Sequence, residues 1–431
     1  MAIIRPIFNW VAQPGITPPG VSFTRNSTAT CTDALGVIRT VPAGVLRDSY
    51  DPVSGAYLGK LIEEQRTNLL CYSAEFDKPG WTSGVAPTIV PFMAVAPDGT
   101  NTCYSVADTS PSGSANLKQD IALGGVSAPQ DSTTAYCGSL QIRKTTGVGV
   151  LGILSVVFSG GTTVGSRLEV NTTTGEVRVN TVISGSAPPV GYGIKDYGSF
   201  WQVWVAVTNN STNNSVRWNY TPAWHTVWGQ SAADPTLQNA AMIWGAQLET
   251  GAFPTSYIPT TSAPCTRSAD QCTLSLASLV DAQGNALFDT AQGTLFARFS
   301  FAGFKVDTTA QLILSLNDGT TANQAALGRT VVGGIYGTGK HGGVLVGALQ
   351  TLNQSPALNT LYQAAQAFSP TGRSACLNGG AVVADATAFA TSTNTVSIGS
   401  VANTNFLSGH FRQVALFNRR LSDADLQALT A

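Results

Sequence analysis

Charge is scarce in this chain. Of 431 residues, 23 are Lys or Arg and 24 are Asp or Glu, 11% together, and the formal net charge is −1. An average globular protein carries about 25%. The basic residues are scattered, which argues against nucleic acid as a partner. No apolar run approaches the roughly 20 residues needed to cross a bilayer, so membrane insertion is not expected. The opening MAIIRPIFNW has neither a long apolar core nor a small-residue cleavage site, so no signal peptide is expected. Histidine is reduced to His225, His341 and His410, far apart and without H-x-x-x-H or H-E-x-x-H spacing. That argues against a zinc site and against His-based catalysis. The seven cysteines, Cys31, Cys71, Cys103, Cys137, Cys265, Cys272 and Cys376, are odd in number and dispersed, with no C-x-x-C. They read as buried reduced thiols of a protein folded in a cytoplasm, with a Cys265–Cys272 disulfide as the alternative.

What fills the gap is Ser, Thr, Asn and Gly beside 43% hydrophobic residues. Such a surface is polar but weakly charged and suits subunit burial or sugar contact. The length suits two or three domains. Residues 1–20 hold Pro14, Gly15, Pro18, Pro19 and Gly20, so they read as an extended arm that anchors on a partner and is dispensable for folding. Residues 21–72 read as a turn-rich adapter, with a strong turn at Asp51–Gly55. Residues 73–262 read as an antiparallel β-sandwich of carbohydrate-binding-module type. Gly138–Lys144 alternates, Glu169–Val179 is a hairpin around Thr174–Gly175, and Phe200–Thr208 and Ala241–Glu249 are core strands. Residues 263–290 read as a linker. From 291 to 431 the β pattern restarts, with Leu295, Ala297, Phe299 and Phe301 on one face. It closes in a helix, capped by Ser422 with Asp425 three residues on. The fold class is therefore all-β: an extended N-terminal arm and adapter, two antiparallel β-sandwich (jelly-roll) domains, and one short C-terminal helix.

Two resemblances stand beside this reading. Val21–Leu70 is similar to the segment with which many tailed-bacteriophage structural proteins begin, through Phe23, Arg25, Ser27, Arg47, Asp51, Pro52, Gly55, Gly59, Glu63, Glu64, Arg66, Thr67, Asn68 and Leu69. Trp244–Asp270 resembles the sequence that follows it in the same proteins. Together they cover about a sixth of the chain. The second half resembles the laminin-G/concanavalin A-like jelly roll through Gly293–Thr294 and through Phe411–Thr430 with Arg420, Leu421, Ser422, Asp423, Leu426 and Leu429. The resemblances imply a virion protein of the head-spike or tail-fibre kind. Members of the jelly-roll family bind glycans or proteins, and a minority are hydrolases.

Candidate chemistry is sparse. Gly334-x-x-x-x-Gly339-Lys340 has most of a P-loop, but His341 follows where Ser or Thr should hold magnesium, so it reads as a glycine-rich hairpin. A glycosidase needs two carboxylates facing one bond, and no E-x-D-x-E run exists. Glu63 and Glu64 are adjacent and would point to opposite faces of a strand, so with Arg47 and Arg66 they read as junction packing. No cofactor is expected except calcium, for which Asp98, Asn317, Asp318 and Asp385 are the loop candidates, each also an ordinary turn residue. The aromatic run Arg217–Gln230 is the best binding candidate, through Trp218, Tyr220, Trp224 and Trp228, because rings stack on the apolar faces of sugars. For Trp224 and Trp228, core packing and a subunit interface remain open beside glycan contact. Trp201, Trp204 and Trp244 read as core.

The expected function is a non-enzymatic phage virion protein, a head fibre or spike or a tail fibre. It would be a homotrimer, assembled in the bacterial cytoplasm and anchored to capsid or tail proteins through residues 1–20. It would aid adsorption to a host-surface polysaccharide. The alternatives are a lectin-like receptor-binding tail protein and a polysaccharide depolymerase.

Overall fold

The computed structural model describes residues 5–123, 134–147, 149–180, 188–306, 309–330, 333–353, 355–389, 393–402 and 404–431. Residues 1–4 of the arm lie outside them. The described residues are almost all β, in antiparallel sheets, with a single α-helix, Asp423–Thr430. Its N-cap is Ser422, whose side chain accepts the Asp425 N–H at 3.2 Å. Leu421 and Leu426 bury it against Phe296, Ala365 and Phe417.

The first sandwich is built from two sheets. One has five strands, in the order Leu117–Ala122, Ser215–His225, Leu151–Ser159, Val164–Val170 and Val177–Asn180. The other has six: Gly191–Tyr197, Phe200–Thr208, Ala135–Arg143, Asn239–Thr250, Cys103–Asp108 and Thr88–Ala94. Alternation along each strand sends one set of side chains inward. Val203, Val205 and Val207 of one sheet meet Leu154, Val156 and Trp218 of the other in a common core.

The second sandwich is not confined to the C-terminal half, and here the structure corrects the linear order of arm, adapter, sandwich, linker, sandwich. Strand Phe8–Val11, inside the expected free arm, pairs with Gly409–Phe417, and Phe8 and Trp10 sit in the second core beside Leu295, Phe299 and Leu416. Strands Arg47–Tyr50 and Tyr57–Ile62 of the adapter extend the same sheet, again on Gly409–Phe417. Strand Val21–Thr24 pairs with Gln271–Ser275, which lies in the expected linker and joins the opposing sheet through Thr395–Ile398. The chain therefore starts in the second sandwich, leaves it to build the first, and returns. Exit and re-entry form a short neck in which Arg66–Asn68 pairs with Cys265–Arg267. Asn68, fully buried, donates to the Ala246 and Ile258 carbonyls (3.1 and 3.0 Å) and accepts from the Leu70 and Leu248 amides (3.2 and 3.1 Å), tying the neck to the first sandwich. Composition hides this topology, because a proline-rich stretch still contains the alternating Phe8-Asn9-Trp10-Val11, and a strand edge is available to receive it.

The P-loop-like run is strand Ile335–His341, closed onto Val344–Leu345 by Gly342–Gly343, both at positive φ as a two-residue hairpin turn requires. All seven cysteines are free, and Cys265 is exposed while Cys272 is buried in the second core.

Candidate functional site

The four aromatic candidates do not form a surface. Trp218 and Tyr220 are fully buried in the first core. The Trp218 indole donates to the Ser139 carbonyl (3.2 Å), in the space that Gly138 leaves free. The period-2 alternation of Ser215–His225 points both rings inward, so the glycan role expected for them gives way to packing. Trp224 is buried too, with the Arg167 guanidinium 4.9 Å from its ring centre. Trp228 is half-buried and carries Arg178 at 4.8 Å.

The calcium candidates are engaged locally. Asp98 accepts from Thr100, and Asp318 from Thr320 and Asn323. Asn317 is buried and bonds Ser397, and Asp385 pairs with Arg373 at 2.8 Å. Among the described residues, no three His, Cys, Asp or Glu side chains are grouped to hold a metal ion.

Between the two sandwiches lies a cavity of about 450 Å³, open to solvent. Its first wall is the outer face of strands Gly191–Tyr197 and Phe200–Thr208. These form a hairpin around Gly198–Ser199, with Gly198 at positive φ and its amide bonded to Asp196. Inward alternation of Val203 and Val205 leaves Gln202 and Trp204 facing out. Trp204 stands opposite Gly193, and a Cβ there would come within 2.4 Å of the indole. The ring therefore covers the glycine backbone and is partly exposed to the cavity. Lys195 and Tyr197 share this face of their strand and also line the cavity. Trp204 was expected in the core. The legible signal was the Gly193–Trp204 cross-strand pair, since an aromatic ring covering a strand glycine is a recurrent device.

The opposite wall comes from the second sandwich and the adapter, including Ser49, Asn359 and His410. Burial pushes the His410 pKa down to about 3, so its ring is neutral, and it hydrogen-bonds Ser49 (3.1 Å).

Beneath the cavity, a buried ionic network joins the sandwiches. Arg47 pairs with Glu63 (2.7 Å) and with Asp270, and Arg25 pairs with Asp270 (3.0 Å). Arg267 approaches Glu63 at 3.1 Å. Ser256, from the returning chain, donates its amide and hydroxyl to Glu63 (2.9 and 2.6 Å). Burial acts to raise the Glu63 pKa, but Arg267 and Arg47 outweigh it and hold the carboxyl well below its ordinary range. Glu64 points elsewhere, to Arg66 and to Lys305 (2.5 Å). The two acids lie in the link between strands Tyr57–Ile62 and Arg66–Asn68, point to different partners, and each finds arginine. Arg25, Arg267 and Asp270 are equally part of the network, and sequence reading did not single them out as members. The two segments with phage resemblance supply all five charged residues of its core, Arg25, Arg47 and Glu63 from one and Arg267 and Asp270 from the other.

No protein-family model matches this chain, and no curated protein matches it. Among solved structures it is similar to the CBM40 of the Ruminococcus gnavus IT-sialidase, at 19% identity and a TM-score of 0.28, over 33% of this chain and 84% of that one. It is similar to the leech intramolecular trans-sialidase complexed with 2,7-anhydro-Neu5Ac, at 17% identity and 0.29, over 37% of this chain and 26% of that one. A heptameric SAP-like pentraxin from Limulus polyphemus is similar at 11% identity and 0.25, over 33% and 70%. At these scores the likenesses assign no ligand or activity to the chain.

Proposed function

We propose that this chain is a non-catalytic, saccharide-binding structural protein of a tailed-phage particle, assembled in the bacterial cytoplasm and carried as a homotrimer on head or tail. The observation that carries the binding part is the partly exposed Trp204 indole, set over Gly193 in an open cavity with Gln202 and Lys195 next along the same face. A flat aromatic platform flanked by hydrogen-bonding side chains is what a pyranose face requires. Against a depolymerase stands the state of Glu63, the one carboxylate among the cavity's described lining residues. A glycosidase acid needs a raised pKa and an unencumbered oxygen, whereas Glu63 is held ionised by two arginines and a serine.

The particle context rests on the resemblance of the adapter and of Trp244–Asp270. Attachment through a free arm is not retained, since residues 8–11 are a strand of the second sandwich. Self-association is supported by the sheet edge Thr88–Ala94. There Val90, Phe92 and Met93 are exposed, and no charge occurs between Lys78 and Asp98 to discourage edge pairing.

The test is a glycan array with the wild type and Trp204→Ala. Binding lost in the variant with an unchanged melting temperature supports the reading; binding that survives in Trp204→Ala refutes the site. Immunogold labelling of phage particles that leaves them unmarked refutes the virion role, and light scattering that gives the monomer mass refutes the trimer.

A further inference from the structure

The cavity carries a charge asymmetry that narrows the ligand. Among its described lining residues, two side chains bear formal charge, Glu63 and Lys195. Glu63 is neutralised within the network beneath the floor. His410 is neutral. Lys195 is different. Of the nearby carboxylates, Asp196 pairs with Lys144 (2.7 Å), while Asp51, bonded to the amides of Val53 and Ser54 in its own turn (3.1 and 2.8 Å), keeps its charge and interacts with Lys195 through space without an ion-pair contact. Lys195 makes no ion pair among the described residues, and its ammonium stands 5.1 Å from the centre of the Tyr197 ring. Among its described lining residues, the cavity thus presents one cation without a contacting carboxylate and no carboxylate free of arginine.

Position reinforces charge. Lys195 is directly opposite Gln202 across the hairpin, and Gly193 is directly opposite Trp204, two residues further along. Two residues along a strand span roughly 6.6–6.8 Å, about the distance from the centre of a stacked pyranose to the far side of a substituent on its ring. Lys195 and Gln202 are therefore cross-strand neighbours one repeat from the Gly193–Trp204 pair on the same face, with the ammonium resting over Tyr197 on the side away from Trp204. That arrangement suits a planar carboxylate, which can accept from both donors at once.

We propose that the cavity selects an acidic saccharide, a sugar bearing a ring carboxylate, with the ring on Trp204 and the carboxylate on Lys195 and Gln202. This rests on the saccharide-binding reading above. No bond is made or broken; the inference concerns selectivity alone.

The experiment is calorimetric titration of the full chain with fragments of pectate, alginate and hyaluronate, each as the uronic acid and in its carboxyl-reduced form. The acid forms should bind about tenfold more tightly, the scale of one charge-assisted hydrogen bond. Lys195→Gln should bring the acid and reduced forms to within about twofold of each other. Trp204→Ala should abolish both. If the reduced forms bind as well as the acids, or if Lys195→Gln keeps the preference, the selectivity is overturned while the binding site stands. If no member of the panel binds the wild type, both the selectivity and the saccharide reading fall.

Discussion

Replacing Trp10 with alanine should destabilise the second sandwich, although Trp10 lies in a stretch whose composition suggests a dispensable arm. The indole is 4% exposed and packs in the core with Phe8, Leu295 and Leu416. Trp→Ala in a core costs about 3–5 kcal/mol. The buried Nε1 of Trp10 has no hydrogen-bond partner, which places the change near the lower end, about 3 kcal/mol. For a folding unit of some 150–250 residues that corresponds to roughly 6–12 °C in melting temperature. Differential scanning calorimetry reads it directly. Removal of residues 1–20 should lower the same transition further, because Phe8 and the pairing with Gly409–Phe417 go with it. Asn9→Ala is the control. Its side chain is exposed and accepts one bond from Gln413 (2.8 Å), so its effect should stay within about 0.5 kcal/mol. A Trp10→Ala protein that melts with the wild type, together with a truncated chain that does the same, would show that the strand adds nothing to the core and that the arm is free.

Acid should weaken the coupling between the sandwiches. Glu63 titrates below its ordinary value of 4.5 in the folded protein, so its stabilisation is complete above about pH 4.5 and is lost as pH falls through the lower folded value. Glu63→Gln should cost about 3–5 kcal/mol at pH 7 by leaving buried arginines underpaired, and should flatten the acid limb of a plot of melting temperature against pH; an unchanged limb would place the acid sensitivity elsewhere. Ser422→Ala should cost about 1 kcal/mol in urea unfolding through loss of the helix cap, and Ser422→Gly less. Thiol labelling of the native protein should modify exposed Cys265 ahead of Cys31 and Cys103, whose thiols burial pushes up to about 11 and about 12; early reaction at Cys103 would contradict the packing around it.

Much of the local structure was legible. The hairpins around Gly175 and Gly342–Gly343, the strand Phe200–Thr208 and the Ser422 cap all follow from patterns spanning a few residues. Glu63 and Glu64 do diverge, but in the link after strand Tyr57–Ile62, where their partners rather than strand alternation set them apart. The candidate site was much less legible. Trp218 and Trp204 both sit on alternating, aromatic-rich strands, and apart from the glycine opposite Trp204 nothing local distinguishes them. One faces the opposing sheet, and the other faces a neighbouring domain that leaves a cavity in front of it.

By itself, then, the sequence determined the all-β class, the strand periods, the turns and the terminal helix, because each depends on sterics and alternation within about ten residues. The tertiary structure alone decided that residues 8–11 belong to the last strand of the chain, across a separation of 404 residues between Asn9 and Gln413. It also decided that Arg25, Arg267 and Asp270 complete the Glu63 network, and that Trp204 rather than Trp218 meets solvent. A strand edge accepts any partner of matching register, and a buried charge accepts any partner of opposite sign. Which partner arrives is settled by how the whole chain closes on itself.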